Sequence, residues 1–409
     1  EDKLDALFYD METPLCRVLY EMESTGFKID RVGLAAYGEQ LTSLQKQFEE
    51  RIYTLAGGQF NINSPKQLGE VLFERLQLPA AKKTKTGYST NAEVLEKLRP
   101  YHPIIDEVLE YRKVTKLIGT YVEGLLKVAD ADGRIHTSFK QTGTATGRLS
   151  SAEPNLQNIP IRTEAGHELR RYFIPRDRDH VLIDADYSQI ELRLLAHIAG
   201  DETMINAFLS GEDIHASTAS AVFGVPLSAV TPELRKRAKA VNFGIVYGIG
   251  DYSLSVDLGI TKKQAGEYIA NYLARFHAID SYLKDTVRMA YDHGFVETIF
   301  GRRRYIPELK ASNKMMRSFG ERVAMNSPIQ GSAADIIKIA MVNTRNALAA
   351  ANIDARLILQ VHDELVVEAA RTCADEAAMI LRREMENAVS LSVPLSVELT
   401  VGDTWYENK

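Results

Sequence analysis

The sequence predicts an α+β fold on three observations. VLIDADY (181–187) is a short apolar run of the kind that forms a buried strand. ARLILQVHDELVVEA (355–369) reads as two apolar strands folded back on each other at His362-Asp363. Most of the remaining chain carries helical spacing in long blocks, so helices and strands are grouped rather than strictly alternating, as in α+β architectures.

The elements follow in order. Residues 38–56 read as a helix with Leu41, Leu44, Phe48, Ile52 and Leu55 on one stripe, stopped by Gly57-Gly58. After a basic, loop-rich segment a second long helix is expected over about 103–128, carrying Ile105, Val108, Leu109, Val114, Leu117, Tyr121 and Leu125. Two long helices flanking a basic loop suggest an arm rather than a compact core. Asp130-Ala131-Asp132-Gly133 signals a turn, IHTSF (135–139) a strand, and the next stretch, QTGTATGRLSSAEPNLQNIP, is polar and irregular. VLIDADY feeds a helix, IELRLLAHIAG, and about 200–317 is mainly helical, with turns at Gly224-Val225-Pro226 and Gly248-Ile249-Gly250. The hairpin, a helix at ADEAAMILRREMENAV and a final strand, VPLSVELTV, complete the chain.

The 409 residues, 45% hydrophobic and 25% charged, have ordinary globular composition and a length suited to two or three domains or subdomains. No apolar run is long enough to span a membrane, and EDKLDALFYD lacks the features of a secretory signal. The absence of an initiator Met suggests a piece of a longer polypeptide. Cys16 and Cys373 are the only cysteines, too few for a disulfide framework or a Cys-rich zinc site, and they suit a reducing cytoplasm. The net charge of −6 weighs against a nucleic-acid partner, but local cations matter more. They cluster at Lys82-Lys83-Lys85, Arg170-Arg171, Arg235-Lys236-Arg237-Lys239 and Arg302-Arg303-Arg304, each of which also suits a solvated face.

Three motifs carry candidate chemistry. Asp186 stands at the end of an apolar strand, where its carboxylate can face a cleft; it can equally cap the helix that follows. Glu191 and Arg193, just beyond, read equally well as a surface pair. Asp363 and Glu364 stand at a hairpin tip, where polar residues are also expected as turn formers. A carboxylate beside apolar strands is costly to desolvate unless paired or bound to a cation, and two brought together would suit hard divalent metals. Between them, Arg235, Lys239, Phe243 and Tyr247 recur every four residues, a stripe roughly 18 Å long on a helix. Its cations suit phosphates and its aromatics suit a base. An amphipathic helix with solvated cations and core aromatics is the alternative.

Polar groups that could read the minor groove are Arg148, Asn155, Gln157 and Asn158 in one loop, and Arg322, Asn326 and Gln330 at spacing four. The loop residues can equally satisfy their own turns. His215, after Asp213, suits a phosphate contact or a structural role. No phosphate-binding GxxxxGK[ST] loop, dinucleotide fingerprint, HExxH or Cys/His cluster occurs. Asp10-Met11-Glu12 resembles a nuclease's paired acids but is assigned to the surface.

Together these segments closely resemble the polymerase domain of family A DNA polymerases, the bacterial DNA polymerase I type, from about Leu15 to Tyr406. DYSQIELR is similar to the family's motif A, RKRAKAVNFGIVYG to motif B and QVHDE to motif C; TGRLSSAEPNLQNIP and MNSPIQGSAADIIK match two further family stretches. The resemblance implies a right-hand fold with an antiparallel-sheet palm, helical fingers and a helical thumb. An N-terminal linker segment would cover 1–30, the thumb 31–128, the palm 129–197 and 318–409, and the fingers 198–317.

The same resemblance implies roles. Asp186, Asp363 and the Tyr187 carbonyl would hold two Mg²⁺, for which Mn²⁺ could substitute, with Glu364 close by. Arg235, Lys239, His215 and Gln189 would grip the triphosphate, Lys239 donating a proton to pyrophosphate. Phe243 would pack against the incoming nucleotide, Tyr247 beside the templating position, and Glu191 would be the steric gate against a 2′-hydroxyl. A Gly there would have suggested an RNA polymerase. Arg148, Asn155, Gln157, Asn158, Arg322, Asn326, Gln330 and His362 would follow the primer–template duplex.

The implied activity is template-directed DNA synthesis by a monomer in the bacterial cytoplasm, associated with the nucleoid and serving replication and repair. Its partners would be primer–template DNA and dNTPs. No space precedes the thumb for a proofreading exonuclease, so polymerisation without 3′→5′ excision is expected. A single-subunit RNA polymerase or reverse transcriptase and a non-catalytic DNA-binding protein are the other readings.

Overall fold

The computed structural model describes residues 4–79, 83–84, 87–160 and 164–407; Lys82 and Lys85 of the first basic cluster lie outside them. Helix α1 (Thr13–Thr25) buries Leu15, Val18, Leu19 and Met22, the i, i+3, i+4, i+7 stripe of an amphipathic helix. Strand β1 (Phe27–Ile29) pairs with β2 (Arg134–Ile135) on one side and β3 (Phe173–Ile174) on the other. Residues 13–29 are therefore packed into the fold and are not a linker. Of the acids in Asp10-Met11-Glu12, Asp10 is exposed as expected, but Glu12 is not a surface residue. Met11 is buried, and Glu12 accepts from Lys338 Nζ (2.7 Å) and pairs with Arg302. Arg302 Nε also donates to Asp335 Oδ1 at 2.7 Å. Buried Lys338 and largely buried Arg302 would outnumber Asp335 alone, and Glu12 supplies the second negative charge. Against its own burial, the Lys338 ammonium and then Arg302 hold the Glu12 carboxyl below the usual range.

Helix α2 (Arg31–Ala56) begins before the predicted start because Asp30 caps it, accepting from the Val32 and Gly33 N–H groups at 3.1 and 3.0 Å. It stops at Gly57, in the left-handed region at φ +70°. The chain is also helical from Ile104 to Val128, with a wider π-type turn over Leu117–Glu123, and all seven residues of the predicted stripe are buried. These helices pack together, and at their far end Ile62, Leu68, Leu72, Leu95 and Leu98 contribute to a core separate from the main one. The arm thus has its own packing unit.

IHTSF is not one strand but two short ones, β2 and Ser138–Lys140. They are separated where the Thr137 hydroxyl bonds Ser151 Oγ (2.6 Å) and Pro154 O (2.7 Å). Four strands, β4 (His180–Tyr187), β5 (Ala355–Val361), β6 (Glu364–Ala370) and β7 (Val397–Gly402), form one antiparallel sheet in the order β5-β6-β4-β7. Asp186 stands opposite Glu364 of β6 and Glu398 of β7. Side chains alternate along β4, so Val181, Ile183 and Ala185 face one way and Leu182, Asp184 and Asp186 the other. Ile183 and Ala185 are fully buried in the main core.

Between β4 and β5 run α3 (Ile190–Ala199), α4 (Ile214–Phe223), α5 (Pro232–Val246) and the 38-residue α6 (Lys314–Ala351). A hairpin, Phe295–Glu297 with Arg303–Tyr305, interrupts the region expected to be helical. Among the described residues no helix is long and apolar enough to cross a membrane.

Candidate active site

The sheet places the acids. β4 passes into α3 through Gln189, which adopts φ +54°, a costly conformation for a residue with a side chain. Gln189 is the N-cap position of α3 and no side chain caps it, so the capping reading of Asp186 falls. β5 and β6 are joined by His362 and Asp363 alone, with His362 at φ +53°, the left-handed conformation tight hairpins use. The turn sets Asp363 against β4: the Tyr187 N–H donates to the Asp363 carbonyl at 3.2 Å. Asp186, Tyr187, His362 and Asp363 line one cavity of about 590 Å³.

Burial, and then the charge of Glu191, raise the pKa of Asp363 to about 6 against the pull of Arg148. The nearby Arg148 cation does not outweigh burial and the charge of Glu191. The donor set fits hard divalent ions, with Asp186 and Asp363 carboxylates and the Tyr187 carbonyl all offering oxygen. Among the described residues no three His, Cys, Asp or Glu side chains converge to hold a metal.

Glu364 departs from expectation. It is buried and does not line the cavity; its Oε1 accepts from Trp405 Nε1 at 2.7 Å. A buried indole N–H needs an acceptor, and Glu364 provides it. The buried Arg170 guanidinium stacks over the Trp405 ring at 3.8 Å. Burial lowers the pKa of Arg170, and the charges of Glu364, Asp184 and Asp186 oppose that shift.

The opposite wall is α5, capped by Thr231, whose hydroxyl accepts from the Leu234 N–H at 3.2 Å. Its inner face buries Ala238, Val241 and Ile245. Arg235, Lys239 and Phe243, with Tyr247 just beyond the helix, line the cavity that holds the acids. The aromatics are therefore not core residues; Tyr247 is 44% exposed. Arg235 Nε pairs with Asp213 Oδ2 at 2.6 Å, and Lys239 Nζ lies 5.9 Å from the Phe243 ring centre. His215 also lines the cavity, its Nδ1 2.9 Å from Asn242 Nδ2.

Glu191 is not in a surface pair with Arg193. It is buried and accepts from Arg148 Nη2 at 2.8 Å, whereas Arg193 donates to Ser188 O (2.8 Å) and Pro394 O (2.7 Å). Burial, then the charge of Glu191, push the Tyr247 phenol up to about 12.

Gln189 and Arg148 line the cavity, but Asn155, Gln157, Asn158, Asn326 and Gln330 do not. Asn155 accepts from the Gln157 N–H (2.9 Å), a local turn bond, and Gln157 Nε2 donates to Gln360 Oε1 at 3.0 Å. The Asn158 carbonyl accepts from the Tyr121 hydroxyl at 2.5 Å. Asn326 Nδ2 donates to Val246 O at the end of α5 (3.3 Å), and Gln330 is half-buried in α6. Arg322 lines an adjoining cavity of about 1010 Å³ with Lys239, Phe243, Tyr247 and Tyr252. Sequence reasoning missed Glu398, which lines the acidic cavity; the alternation of VELTV on an antiparallel neighbour of β4 was its only signal. It also missed Asn242, which carries no sequence signal between Val241 and Phe243.

A family model described as DNA polymerase family A matches residues 32–407. DNA polymerase I of Caldicellulosiruptor bescii is 54% identical over 404 residues, covering 98% of this chain and 47% of that protein. DNA polymerase I of Bacillus subtilis (strain 168) is 53% identical over 409 residues, covering 100% of this chain and 46% of that protein. The chain thus spans about half the length of the curated relatives it matches. A solved structure described as the POL domain of Pol1 from M. smegmatis, in complex with DNA primer-template and dNTP, is similar throughout. Its TM-score is 0.94 at 45% identity, with 100% of this chain and 72% of that chain covered.

Proposed function

The chain belongs to DNA polymerase family A, and from that premise we propose that it extends a DNA primer on a DNA template, adding dNMPs and releasing pyrophosphate. The observation that carries this reading is the single cavity that joins Asp186 and Asp363 to Arg235, Lys239, Phe243 and Tyr247. It needs acids for metal, cations for triphosphate and aromatics for a base, and all three line one space.

In the proposed reaction the primer 3′-oxygen attacks the α-phosphorus of a dNTP. The new P–O bond forms as the bond to the β-phosphate oxygen breaks. Asp186 and Asp363, with the Tyr187 carbonyl, would hold two Mg²⁺ or Mn²⁺. When bound, such a pair supplies Lewis acidity at the attacking and leaving oxygens. Arg235, His215 and Gln189 bind the triphosphate. Lys239 donates its proton to the departing pyrophosphate, offsetting the charge that develops there. Phe243 packs on the incoming nucleotide and Tyr247 lies at the templating position.

Glu191, clamped by Arg148, fills the space a 2′-hydroxyl would need, which favours deoxynucleotides over ribonucleotides. Arg148, Arg322, Asn326, Gln330 and His362 follow the duplex. Residues 31–128 act as thumb, 129–197 and 318–409 as palm, and 198–317 as fingers. The chain works as a monomer in the bacterial cytoplasm, close to the nucleoid. Primer extension with Mg²⁺ and dNTPs tests the reading. Template-dependent elongation with dNTPs and little with NTPs is expected; no elongation, or equal use of NTPs, would refute it.

A further inference from the structure

A buried hydrogen-bond relay stands behind His215 in the cavity wall. His215 and Thr218 lie on α4, Asn242 on α5, and all three are buried. The Thr218 hydroxyl donates to Asn242 Oδ1 at 3.1 Å, and Asn242 Nδ2 lies 2.9 Å from His215 Nδ1. A carboxamide nitrogen only donates, so His215 Nδ1 must accept, and a neutral ring then carries its proton on Nε2. With Nδ1 occupied, Nε2 is the nitrogen left for a ligand in the cavity that His215 lines.

We propose that Asn242, oriented by Thr218, is a positioning residue that locks His215 as the neutral Nε2–H tautomer, making it an uncharged hydrogen-bond donor to a nucleotide phosphate oxygen. This deepens the nucleotide-binding reading above and rests on it. Neutrality has a physical reason: Arg235 and Lys239 already bring two cations to this wall, and a third in a buried ring would add repulsion and desolvation. Burial, then the charges of Lys239 and Arg235, lower the His215 pKa to about 4 against Asp213, whose carboxylate also caps α4. The Phe243 ring, 6.0 Å away between centroids, covers the imidazole with an uncharged surface. The cavity thereby has two charged phosphate contacts and one neutral, directional one.

The direct test is long-range ¹H–¹⁵N NMR of the nucleotide-free protein labelled at histidine, with His215→Gln assigning the signal among nine histidines. The proposal expects a neutral Nε2–H signature persisting to about pH 5. An Nδ1–H tautomer, or titration near 6.5, would overturn it. Asn242→Asp should reverse the tautomer, because a carboxylate can only accept from Nδ1–H. Its KM for dNTP should then rise with pH relative to wild type, as the ring loses its Nε2 proton.

Asn242→Leu should raise the dNTP KM about 5- to 10-fold with kcat changed less than about 3-fold, and Thr218→Val about 2-fold in the same direction. Unchanged KM in both variants would contradict the positioning role. If Asn242→Leu fails to fold, the wild-type spectrum and Thr218→Val still decide. If wild type extends no primer, the function above fails while the tautomer result stands.

Discussion

The two walls of the cavity are built on different physics. The acidic wall is a product of sheet register: Asp186 is on a central strand paired on both sides, and Asp363 is held at a two-residue turn that bonds back to Tyr187. Its position is over-determined by backbone ladders. The cationic wall is one face of α5, whose long side chains reach the cavity from a helix anchored mainly by its opposite face. Its end is compact yet marked by glycine: a Cβ on Gly244 would meet Ile249 at 2.5 Å, and Gly248 sits at φ +64°. The contrast teaches a division of labour. On the proposed reading the sheet would fix the reacting atoms, and the helix would admit and then enclose a nucleotide, as gating elements do.

The largest break in this comparison comes from the sheet. Asp186→Ala should lower single-turnover incorporation by roughly 10⁴-fold, while DNA affinity stays within about threefold in a gel-shift titration. A matching loss of DNA binding would mean that the acid wall is structural. On the helix, Lys239→Ala should cost about 10²- to 10³-fold in kcat through loss of the proposed proton donor. A change confined to KM would remove its proposed role in the chemical step. Glu191→Ala should relax discrimination against NTPs by about tenfold, read from paired dNTP and NTP incorporation rates. It also strips Arg148 of its buried partner, so a loss of about 1–3 kcal/mol in urea unfolding should accompany it.

A further effect is on stability against pH. Because the His215 pKa is lowered to about 4 in the folded chain, the unfolded chain takes up a proton first as the pH falls. Its contribution to stability should therefore fall as the pH drops from about 6.5 to 4, by up to about 1.4 kcal/mol per pH unit. His215→Gln should remove that part of the slope; an unchanged slope would mean the ring is not held neutral.

The two walls were not equally legible. The strands and their acids were readable because apolar runs bounded by turns leave few alternatives, and the spacing of four placed Arg235, Lys239, Phe243 and Tyr247 together. What the pattern could not supply was long-range pairing. Glu191 has its cation 43 residues away in Arg148 rather than two residues away in Arg193. Glu364 is adjacent to Asp363 in sequence and stands opposite Asp186 across the sheet, but it is buried as the acceptor of the Trp405 indole and does not line the cavity. Glu12 looked like a surface acid because Lys338 and Arg302, which it neutralises, lie about 300 residues later. Buried charge is balanced across the fold, and a local window does not contain the balance.

The claim that both walls serve one reaction is tested most directly by Asp363→Ala in a single-nucleotide incorporation assay, with duplex and dNTP affinities measured on the same samples. The account predicts that incorporation is abolished while duplex binding, and dNTP binding through the intact α5 face, persist within a few-fold. Retained incorporation would contradict it.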